Sequence, residues 1–299
     1  MLAENIQVFP NFVPQSDTRL TSLRRRIVNR TFGQTRGPIR RLMSPSDLGR
    51  VLKPFVFLDL AMFEPSAAPM SMELGWHPHS GIATVTVMLD GSVRFAETTG
   101  KSGELPAGGV EFMRAGGGVW HTGAPGPGRG TLFQLWIALP PELENGPNAS
   151  QYVMPSDVPS VGPARVILGE YAGVKSPIAA PPMTYLQVTL KDAQRFRYQP
   201  PSGHSVAWAA LSEGTLDVGE TIVGGEIAVF ERSQQAIDFV ARSDTRFVLG
   251  SAAPHPYDLH LGSYSVHTSA QSLQRGETEI RRIGQELAGQ GVLKRSIRQ

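Results

Sequence analysis

Short runs of alternating or nearly continuous apolar residues, each followed by a turn rich in glycine or proline, recur along most of this chain. A period of two is typical of β-strands, and runs of this length are too short for most helices. The 299 residues include 32 Gly and 24 Pro, which supply turns too often for long helices to dominate. We therefore predict an all-β fold.

The strand pattern is clearest in the first half of the chain. β-Branched residues alternate over 82–89, and the following Asp90-Gly91 predicts a hairpin whose return strand is 93–97. A nearly continuous apolar run at 131–139 predicts a long strand. Further strands are predicted at 26–28, 39–43, 55–59, 110–113 and 119–121.

A proline-rich stretch divides the chain into two similar halves. Residues 141–163 carry five prolines and are typical of a linker. Strands return from residue 165, and Glu213-Gly214 occupies a turn much as Asp90-Gly91 does in the first half. The predicted organisation is an N-terminal extension (1–24), a first barrel (25–145), a linker (146–164), a second barrel (165–267) and a C-terminal helix with its tail (268–299).

The C-terminal region is the one part with a helical pattern. Thr268 is a suitable N-cap, and Ile280, Ile283 and Leu287 fall on one helical face. Gly289 offers a stop signal. We predict one short helix after the second barrel.

The composition excludes several classes of protein. The chain has no cysteine, so disulfides and thiolate-bound metals are excluded. The N-terminal residues lack the basic segment and apolar run of a secretion signal, and no stretch approaches 18 apolar residues. We therefore expect a cytoplasmic protein without membrane association.

Eight arginines between residues 24 and 50 are accompanied by a single acid, Asp47, although the formal net charge of the whole chain is only +2. A basic segment of this kind is a candidate for contact with nucleic acid or an acidic partner. No aromatic platform or helix-turn-helix pattern accompanies it, so direct nucleic-acid binding is not expected. We expect these arginines to pair with carboxylates elsewhere in the fold.

His77-Pro78-His79 carries the most chemical information in the chain. Residues two apart in an extended segment point to the same side, so both imidazoles can reach one point. His121, in a glycine-rich setting further along, is a candidate third ligand. Without thiols the ligands come from His, Asp and Glu, which leaves iron, manganese, nickel, copper and zinc open. Histidines kept for packing are the alternative.

Four segments around these histidines resemble the pirin family of bicupins. They are PFVF (54–57), HPHSGIATVTVMLDG (77–91), EFMRAGGGVWH (111–121) and LFQLWIALP (132–140). Pirin segments read close to PFVFxD, HPHxGxxTVTYxxEG, QWMTAGRGIxHxE and LQLWVxLP. The resemblance implies two jelly-roll cupin barrels over about 25–290, with a metal site in the N-terminal cupin, none in the C-terminal cupin, and a C-terminal helix.

The resemblance also implies a function. Pirins are nuclear or cytoplasmic proteins with one divalent metal, Fe(II) first, with Mn, Ni, Cu or Zn as substitutes. Some are dioxygenases that act on the flavonol quercetin, and others bind a transcription factor or a metabolic enzyme. For this chain the resemblance favours a regulatory or interaction protein. The alternative is a quercetin 2,3-dioxygenase-like enzyme acting on a small aromatic ligand.

The family's ligand set carries over to this chain with one exception. Its three histidines match His77, His79 and His121, whereas its glutamate ligand falls on Gly123. Glycine has no side chain that can coordinate a metal. Three outcomes stay open: a three-histidine site completed by water or substrate, a substitute carboxylate, or a protein without metal.

A substitute carboxylate would come from a neighbouring segment. Glu111 is the first candidate, because it lies on a predicted strand where the family has glutamine, and Glu73 and Glu97 are weaker candidates. The missing glutamate also lowers the expectation of quercetin cleavage, since a carboxylate near the metal is the natural base for the flavonol hydroxyl.

The remaining candidates concern the pocket and the other histidines. Large side chains next to the histidine motifs are predicted to line or cap a pocket for a planar ligand, with core packing as the alternative: Trp76, Phe112, Met113 and Trp120. His204 has no histidine two residues away, which favours a packing or surface role. His255, His260 and His267 are scattered, and no second metal site is predicted from them.

Overall fold

The protein is an all-β molecule made of two barrels and a C-terminal helix, as the sequence predicts. The computed structural model describes residues 24–64 and 74–293. Up to residue 153 the strands are β1 (Ile27–Thr31), β2 (Gln34–Arg36), β3 (Ile39–Met43), β4 (Phe55–Phe63), β5 (Leu74–His79), β6 (Ile82–Asp90), β7 (Ser92–Glu97), β8 (Ser102–Pro106), β9 (Val110–Arg114), β10 (Val119–Pro125), β11 (Gly130–Ala138) and β12 (Ala149–Val153).

The second half continues with shorter strands and the longest helix. Its strands are β13 (Ser160–Val161), β14 (Ala164–Leu168), β15 (Glu170–Tyr171), β16 (Val174–Lys175), β17 (Met183–Leu190), β18 (Arg195–Tyr198), β19 (Val206–Glu213), β20 (Thr215–Asp217), β21 (Thr221–Val223), β22 (Ile227–Phe230), β23 (Ile237–Ala241), β24 (Thr245–Ala252), β25 (His260–Leu261) and β26 (Val266–His267). The helices are α1 (Leu48–Leu52), α2 (Pro141–Glu144) and α3 (Ala270–Gly289), with a 3₁₀ turn at Pro155–Asp157.

Each barrel combines one seven-stranded and one four-stranded antiparallel sheet. In the first barrel the sheet orders are β12-β9-β6-β11-β4-β3-β2 and β5-β10-β7-β8. In the second they are β1-β22-β19-β24-β17-β14-β13 and β18-β23-β20-β21. The repeat predicted from the turn spacing is thus confirmed, and the molecule has a cupin architecture in both halves.

The predicted hairpin at Asp90-Gly91 is a corner between two sheets instead. Strand β6 pairs with β9 and β11, whereas β7 pairs with β8 and β10. Gly91 adopts a φ of 71°, and a Cβ at this position would lie 2.4 Å from the carbonyl oxygen of Arg129. The sequence therefore signals the turn correctly, but a local turn signal does not reveal which strand becomes the partner.

Two predicted boundaries also differ from the pairing in the structure. Strand β1, assigned to the first barrel by sequence, pairs with β22 of the second, with Ile27 opposite Phe230 and Thr31 opposite Ile227. Strand β12, inside the predicted linker, completes the large sheet of the first barrel by pairing with β9. Both pairings join segments that are distant in sequence, so composition alone does not reveal them.

The hydrophobic core runs from one barrel into the other. One buried cluster includes residues of both barrels, and in it the rings of Phe55 and Trp208 meet edge to face with centroids 5.5 Å apart. A second cluster fills the interior of the second barrel with apolar side chains such as Leu186, Phe239 and Phe247. That barrel therefore has a packed interior where the first has a cavity.

Three of the eight N-terminal arginines, Arg26, Arg30 and Arg41, form ion pairs as predicted, whereas Arg25 and Arg40 donate to backbone carbonyl oxygens. Arg26 pairs with Glu231 at 3.0 Å, and Arg30 pairs with Glu226 at 2.5 Å. Both contacts tie the segment around β1 to the second barrel. Arg41 of β3 donates to Asp59 of β4 through two nitrogens, at 2.8 and 3.0 Å.

Replacing Arg30 with alanine should destabilise the protein by about 2–3 kcal/mol, because the carboxylate of Glu226 is buried and loses its cation. Replacing Arg26 is the matched control: its side chain is 76% exposed, and its loss should cost less than about 1 kcal/mol. Urea unfolding of both variants measures the difference. Equal losses would contradict the role given to the buried carboxylate.

Helix α3 packs against the first barrel. Its N-cap is Ser269, whose side chain accepts from the backbone N–H of Ser272, so the cap lies one residue beyond the predicted Thr268. Ile280 and Leu287 are buried on the predicted face, and the indole N–H of Trp120 donates to the carbonyl oxygen of Ile280 at 2.7 Å. In the described part of the chain, none of the helices has the length and apolarity needed to cross a membrane.

Candidate metal centre

The two strands that carry the histidine motifs lie side by side in the small sheet of the first barrel. Strands β5 and β10 are antiparallel, with His77 directly opposite His121 and His79 opposite Val119. Opposed residues share a face of the sheet, as do residues two apart in one strand. All three imidazoles therefore point to one side, with ring centroids 4.3 to 5.1 Å apart.

Backbone carbonyls fix the orientation of two of these rings. His77 Nδ1 lies 2.8 Å from the carbonyl oxygen of Gly75, and His79 Nδ1 lies 3.1 Å from that of Tyr264. When Nδ1–H donates to these carbonyls, the Nε2 lone pair of each ring is free for a metal. His121 Nε2 is buried without a hydrogen-bond partner among the described residues, which is the state expected of a ligand awaiting an ion.

The environment keeps the three rings neutral. Burial is the main cause that lowers the pKa of His77 and of His121, and it lowers the pKa of His79 to about 3. Neighbouring imidazoles lower the pKa of His79 and His121 further. Neutral imidazole is the form that binds a metal, so at pH 7 the site need not lose protons first.

The donor set fits one divalent metal ion. One nitrogen from each of the three rings lies within 4.8 Å of the other two, and no other group of this kind occurs in residues 24–64 and 74–293. Three protein ligands leave positions open for water or substrate, as in catalytic metal sites. The histidines scattered elsewhere have other contacts: His204, for example, is buried with its Nδ1 3.1 Å from the hydroxyl of Ser251.

Gly123 stands where a fourth ligand would be expected. It follows His121 by two residues on β10 and pairs with Phe95 of β7. A Cβ added there would have Val93 Cγ2 at 3.6 Å as its nearest neighbour, which is ordinary contact. The position is therefore free of steric conflict at Cβ, and the missing side chain leaves open space beside the histidines.

The carboxylates near the histidines, Glu111 and Glu97, accept hydrogen bonds from hydroxyl groups, although Glu97 Oε1 is buried without a hydrogen-bond partner among the described residues. Glu111 lines the cavity, but its two oxygens accept from the hydroxyls of Thr84, at 2.8 Å, and of Thr86, and it is not part of the histidine group. Burial raises the pKa of the Glu111 carboxyl. Glu97 is buried opposite His121 and accepts from Ser150 at 2.6 Å. Glu73 lies outside the described residues.

The histidines open on a cavity of about 730 Å³ inside the first barrel. This volume suits a small organic ligand. The large side chains in its wall belong mainly to β4, β7, β11 and β12. They include Phe57, Phe63, Phe95, Trp136 and Tyr152. The rings of Trp136 and His79 meet at 4.8 Å, so the aromatic wall begins at the histidines.

The four residues predicted to border the pocket are not among the described residues of its wall. Trp76 and Trp120 each adjoin a histidine in sequence, and strand alternation turns them to the opposite face. Phe112 packs in the core shared by the barrels, and Met113 packs with Ala115 and Val119. The side chains that do line the cavity alternate along β4 and β11, and this alternation is the sequence signal that could have identified them.

The segment before α3 forms hydrogen bonds with Ser80, which directly follows the histidine-bearing strand β5. Ser80 Oγ lies 3.0 Å from both Ser265 Oγ and His267 Nε2, and His267 Nδ1 lies 3.5 Å from the carboxylate of Glu144. A serine, a histidine and a glutamate in this order are the components of a hydrolase triad. Here all three residues are at most 1% exposed, so a substrate cannot reach them. The cluster instead fixes the segment before α3 to Ser80, and we call these three residues the clamp.

This clamp should make stability depend on pH. Burial lowers the pKa of His267 to about 4, whereas an unfolded histidine titrates near 6.5. As pH falls through this window the unfolded chain takes up a proton that the folded one does not, so stability decreases by up to about 1.4 kcal/mol per pH unit. Urea unfolding from pH 7 to 4.5 should show a shallower decrease for His267→Gln. Parallel curves would rule this assignment out.

Two cupin barrels, with a three-histidine group in the first and an apolar interior in the second, define a bicupin with one candidate metal centre. The family model described as Pirin matches residues 37–137. A pirin-like protein of Caulobacter vibrioides is 31% identical over 188 residues, which cover 60% of this chain and 68% of that protein. The chain belongs to the pirin family.

Other relatives connect this family with quercetin oxygenation. A Pseudomonas aeruginosa protein, provisionally named a quercetin 2,3-dioxygenase, is 32% identical over 234 residues, covering 73% of this chain and 81% of that one. The crystal structure of quercetin 2,3-dioxygenase from Acinetobacter baumannii matches with a TM-score of 0.76 at 25% identity, covering 86% of this chain and 95% of that one. A nickel(II) complex of an Escherichia coli pirin shares the fold, with a TM-score of 0.59 at 19% identity, covering 77% of this chain and 98% of that one.

Proposed function

We propose that this protein is a metal-dependent dioxygenase of the quercetinase type, acting on a small hydroxylated aromatic compound. The observation that carries the proposal is the group of three neutral imidazoles with free lone pairs in the wall of a ligand-sized cavity. Fe(II) is the first choice of metal, with manganese, nickel, copper or zinc as substitutes. When bound, the metal would supply a Lewis-acidic point for the substrate hydroxyl and, if it is a redox-active ion such as Fe(II), for dioxygen.

The side chains of the cavity would divide the remaining tasks. His77, His79 and His121 would hold the ion, while Phe57 and Trp136, whose rings stack on each other at 4.1 Å, form the cavity wall beside the place for an aromatic ring. An aromatic wall of this kind favours a ring-shaped ligand without specifying its substituents.

Glu111 is the proposed proton acceptor for the substrate hydroxyl. It lines the cavity, and the hydroxyls of Thr84 and Thr86 hold its carboxylate in place. Burial raises its pKa, so the ionised carboxylate is a stronger base than that of an exposed glutamate. This role compensates for the carboxylate that Gly123 does not supply.

Anaerobic loading with Fe(II), Mn(II), Ni(II) or Cu(II), followed by oxygen and quercetin, tests the proposal. We expect loss of the flavonol absorbance with at least one metal, no loss in His77→Ala, and a rate reduced by about 100-fold in Glu111→Gln with metal content unchanged. An inactive wild-type protein that has taken up each metal would refute the enzyme assignment.

A regulatory or interaction protein is the second candidate. It is favoured by Gly123, which lacks the side chain of a fourth ligand, and by two large apolar side chains exposed at and beside the edge strand β1, Val28 at 58% and Phe32 at 50%. Such a protein would bind a transcription factor or a metabolic enzyme as its partner. It predicts no quercetin loss with any metal, so the same assay separates the two candidates.

A further inference from the structure

The large sheet of the first barrel presents a row of polar side chains to the cavity. The row follows the register from strand to strand: each member lies opposite the next, on the same face of the sheet. We call it the polar row, and its members are Arg41, Asp59, Gln134, Thr86, Glu111 and Tyr152, all in the cavity wall. Hydrogen-bonding groups thus cross the cavity as one band.

One donor of this row is unused. Gln134 Nε2 is buried and has no hydrogen-bond partner among the described residues. Buried amide nitrogens are nearly always paired, so a ligand oxygen is a fitting partner for it. The other members are largely engaged with one another, as in the pairs Arg41–Asp59 and Thr86–Glu111.

The cavity wall changes character on either side of the polar row. On the side of the histidines, two residues from Gln134 on β11 and from Asp59 on β4, the wall is aromatic, with Trp136 and Phe57. Two residues beyond them it becomes wholly apolar. We call this end the apolar chamber, formed by Ala61, Phe63, Val93, Phe95, Leu105 and Leu132, which pack as one cluster.

Strand geometry sets the length of this arrangement. Residues on one face of an antiparallel strand repeat about every 6.8 Å, so along β4 and β11 the apolar chamber begins roughly 14 Å from the aromatic residues beside the histidines. On the facing wall it begins opposite Gly123, one such repeat of about 7 Å from His121. A compact ligand held at the histidines would leave the chamber unfilled. A ligand that filled it would need a hydrocarbon group on the side away from the metal.

Gly123 lies between the histidine end of the cavity and the apolar chamber. On β10 it lies between His121 and Pro125, and it pairs with Phe95, which belongs to the apolar chamber. A side chain at this position would extend into the cavity, whose wall includes Gly123, and its Cβ would be in ordinary contact with Val93 Cγ2 at 3.6 Å. With glycine there, the passage from the histidines to the chamber stays free on this wall.

We propose that the ligand of this site is an elongated amphipathic aromatic: a hydroxylated ring at the histidines, a hydrogen-bond acceptor near Gln134, and an alkyl or aryl tail in the apolar chamber. The proposal rests on the proposed function for the position of the ring. Gly123 then acts as a specificity-determining residue, because its missing side chain admits the tail.

A series of 4-alkylcatechols tests the tail directly. Catechol and its methyl, ethyl, butyl and hexyl derivatives are titrated by anaerobic calorimetry into the full-length protein loaded with Ni(II). We expect affinity to rise roughly two- to fourfold for each added methylene as the tail enters the chamber. In Gly123→Leu the increase should disappear, because leucine narrows the passage between the histidines and the chamber.

Two further variants test whether the effect depends on where the side chain is added. Ala61→Phe narrows the chamber from the opposite wall and should also abolish the increase. Gly289→Leu adds the same side chain on the exposed end of α3, where a Cβ meets no atom within 4 Å, and should retain it. If affinity does not depend on tail length while catechol still binds, the proposed tail site is wrong and the proposed metal centre is unaffected. Failure of catechol itself to bind overturns both proposals together.

Discussion

Replacing His79 with alanine is expected to abolish metal binding while the protein stays folded. His79 is the most enclosed of the three histidines, at 1% exposure, and its ring is held by the carbonyl oxygen of Tyr264. Removing one of three ligands should weaken binding by at least about 100-fold, or roughly 3 kcal/mol. After loading and desalting, metal content should fall from near one equivalent to below about 0.1 equivalent.

His260→Ala is the matched control for this experiment, because His260 lies on β25 outside the histidine group. Its metal content should equal that of the wild type. The two variants are compared by thermal unfolding to exclude a general loss of structure. If His79→Ala retained a full equivalent of metal, the three-histidine centre would be wrong.

Replacing Gly123 with glutamate is expected to tighten metal binding by at least about tenfold. The position lies on the same strand as His121 and two residues further on, so a side chain there starts on the face that carries the imidazoles. Its Cβ fits without conflict. A carboxylate adds a negatively charged ligand to three neutral ones, which favours a divalent cation. Competition with a chromogenic chelator measures the change.

Gly123→Gln separates charge from size in this experiment. The amide has nearly the shape of the carboxylate but no charge, so it should give little of the gain. Equal gains from both substitutions would indicate that the added side chain acts by excluding water. No gain from either would indicate that position 123 does not face the ion.

Sequence patterns located the strands well where the pattern is local. Strands β3, β4, β6, β9 and β11 lie at or within a few residues of their predicted positions, because alternation and turn residues depend on neighbours in the chain. The histidine group was predictable for the same reason: His77 and His79 are two apart, and His121 required only an adjacent strand.

Features that depend on tertiary pairing could not be predicted in this way. The partner of β7 and the transfer of β1 to the second barrel follow from contacts between distant segments. Trp120 adjoins His121 in sequence, but alternation along β10 turns its ring away from the histidines, and its indole N–H donates to Ile280 of α3. Nothing local in the sequence indicated that Tyr264 would hold His79.

The pairing of β1 with β22 also sets an order for biosynthesis. Arg30 and its partner Glu226 are 196 residues apart, so a ribosome adding 5–20 residues per second needs roughly 10 to 40 s to deliver the partner strand. During this interval β1 has no sheet to join, although the rest of the first barrel can already form. The large sheet of the second barrel is therefore completed by a strand that is synthesised before the first barrel.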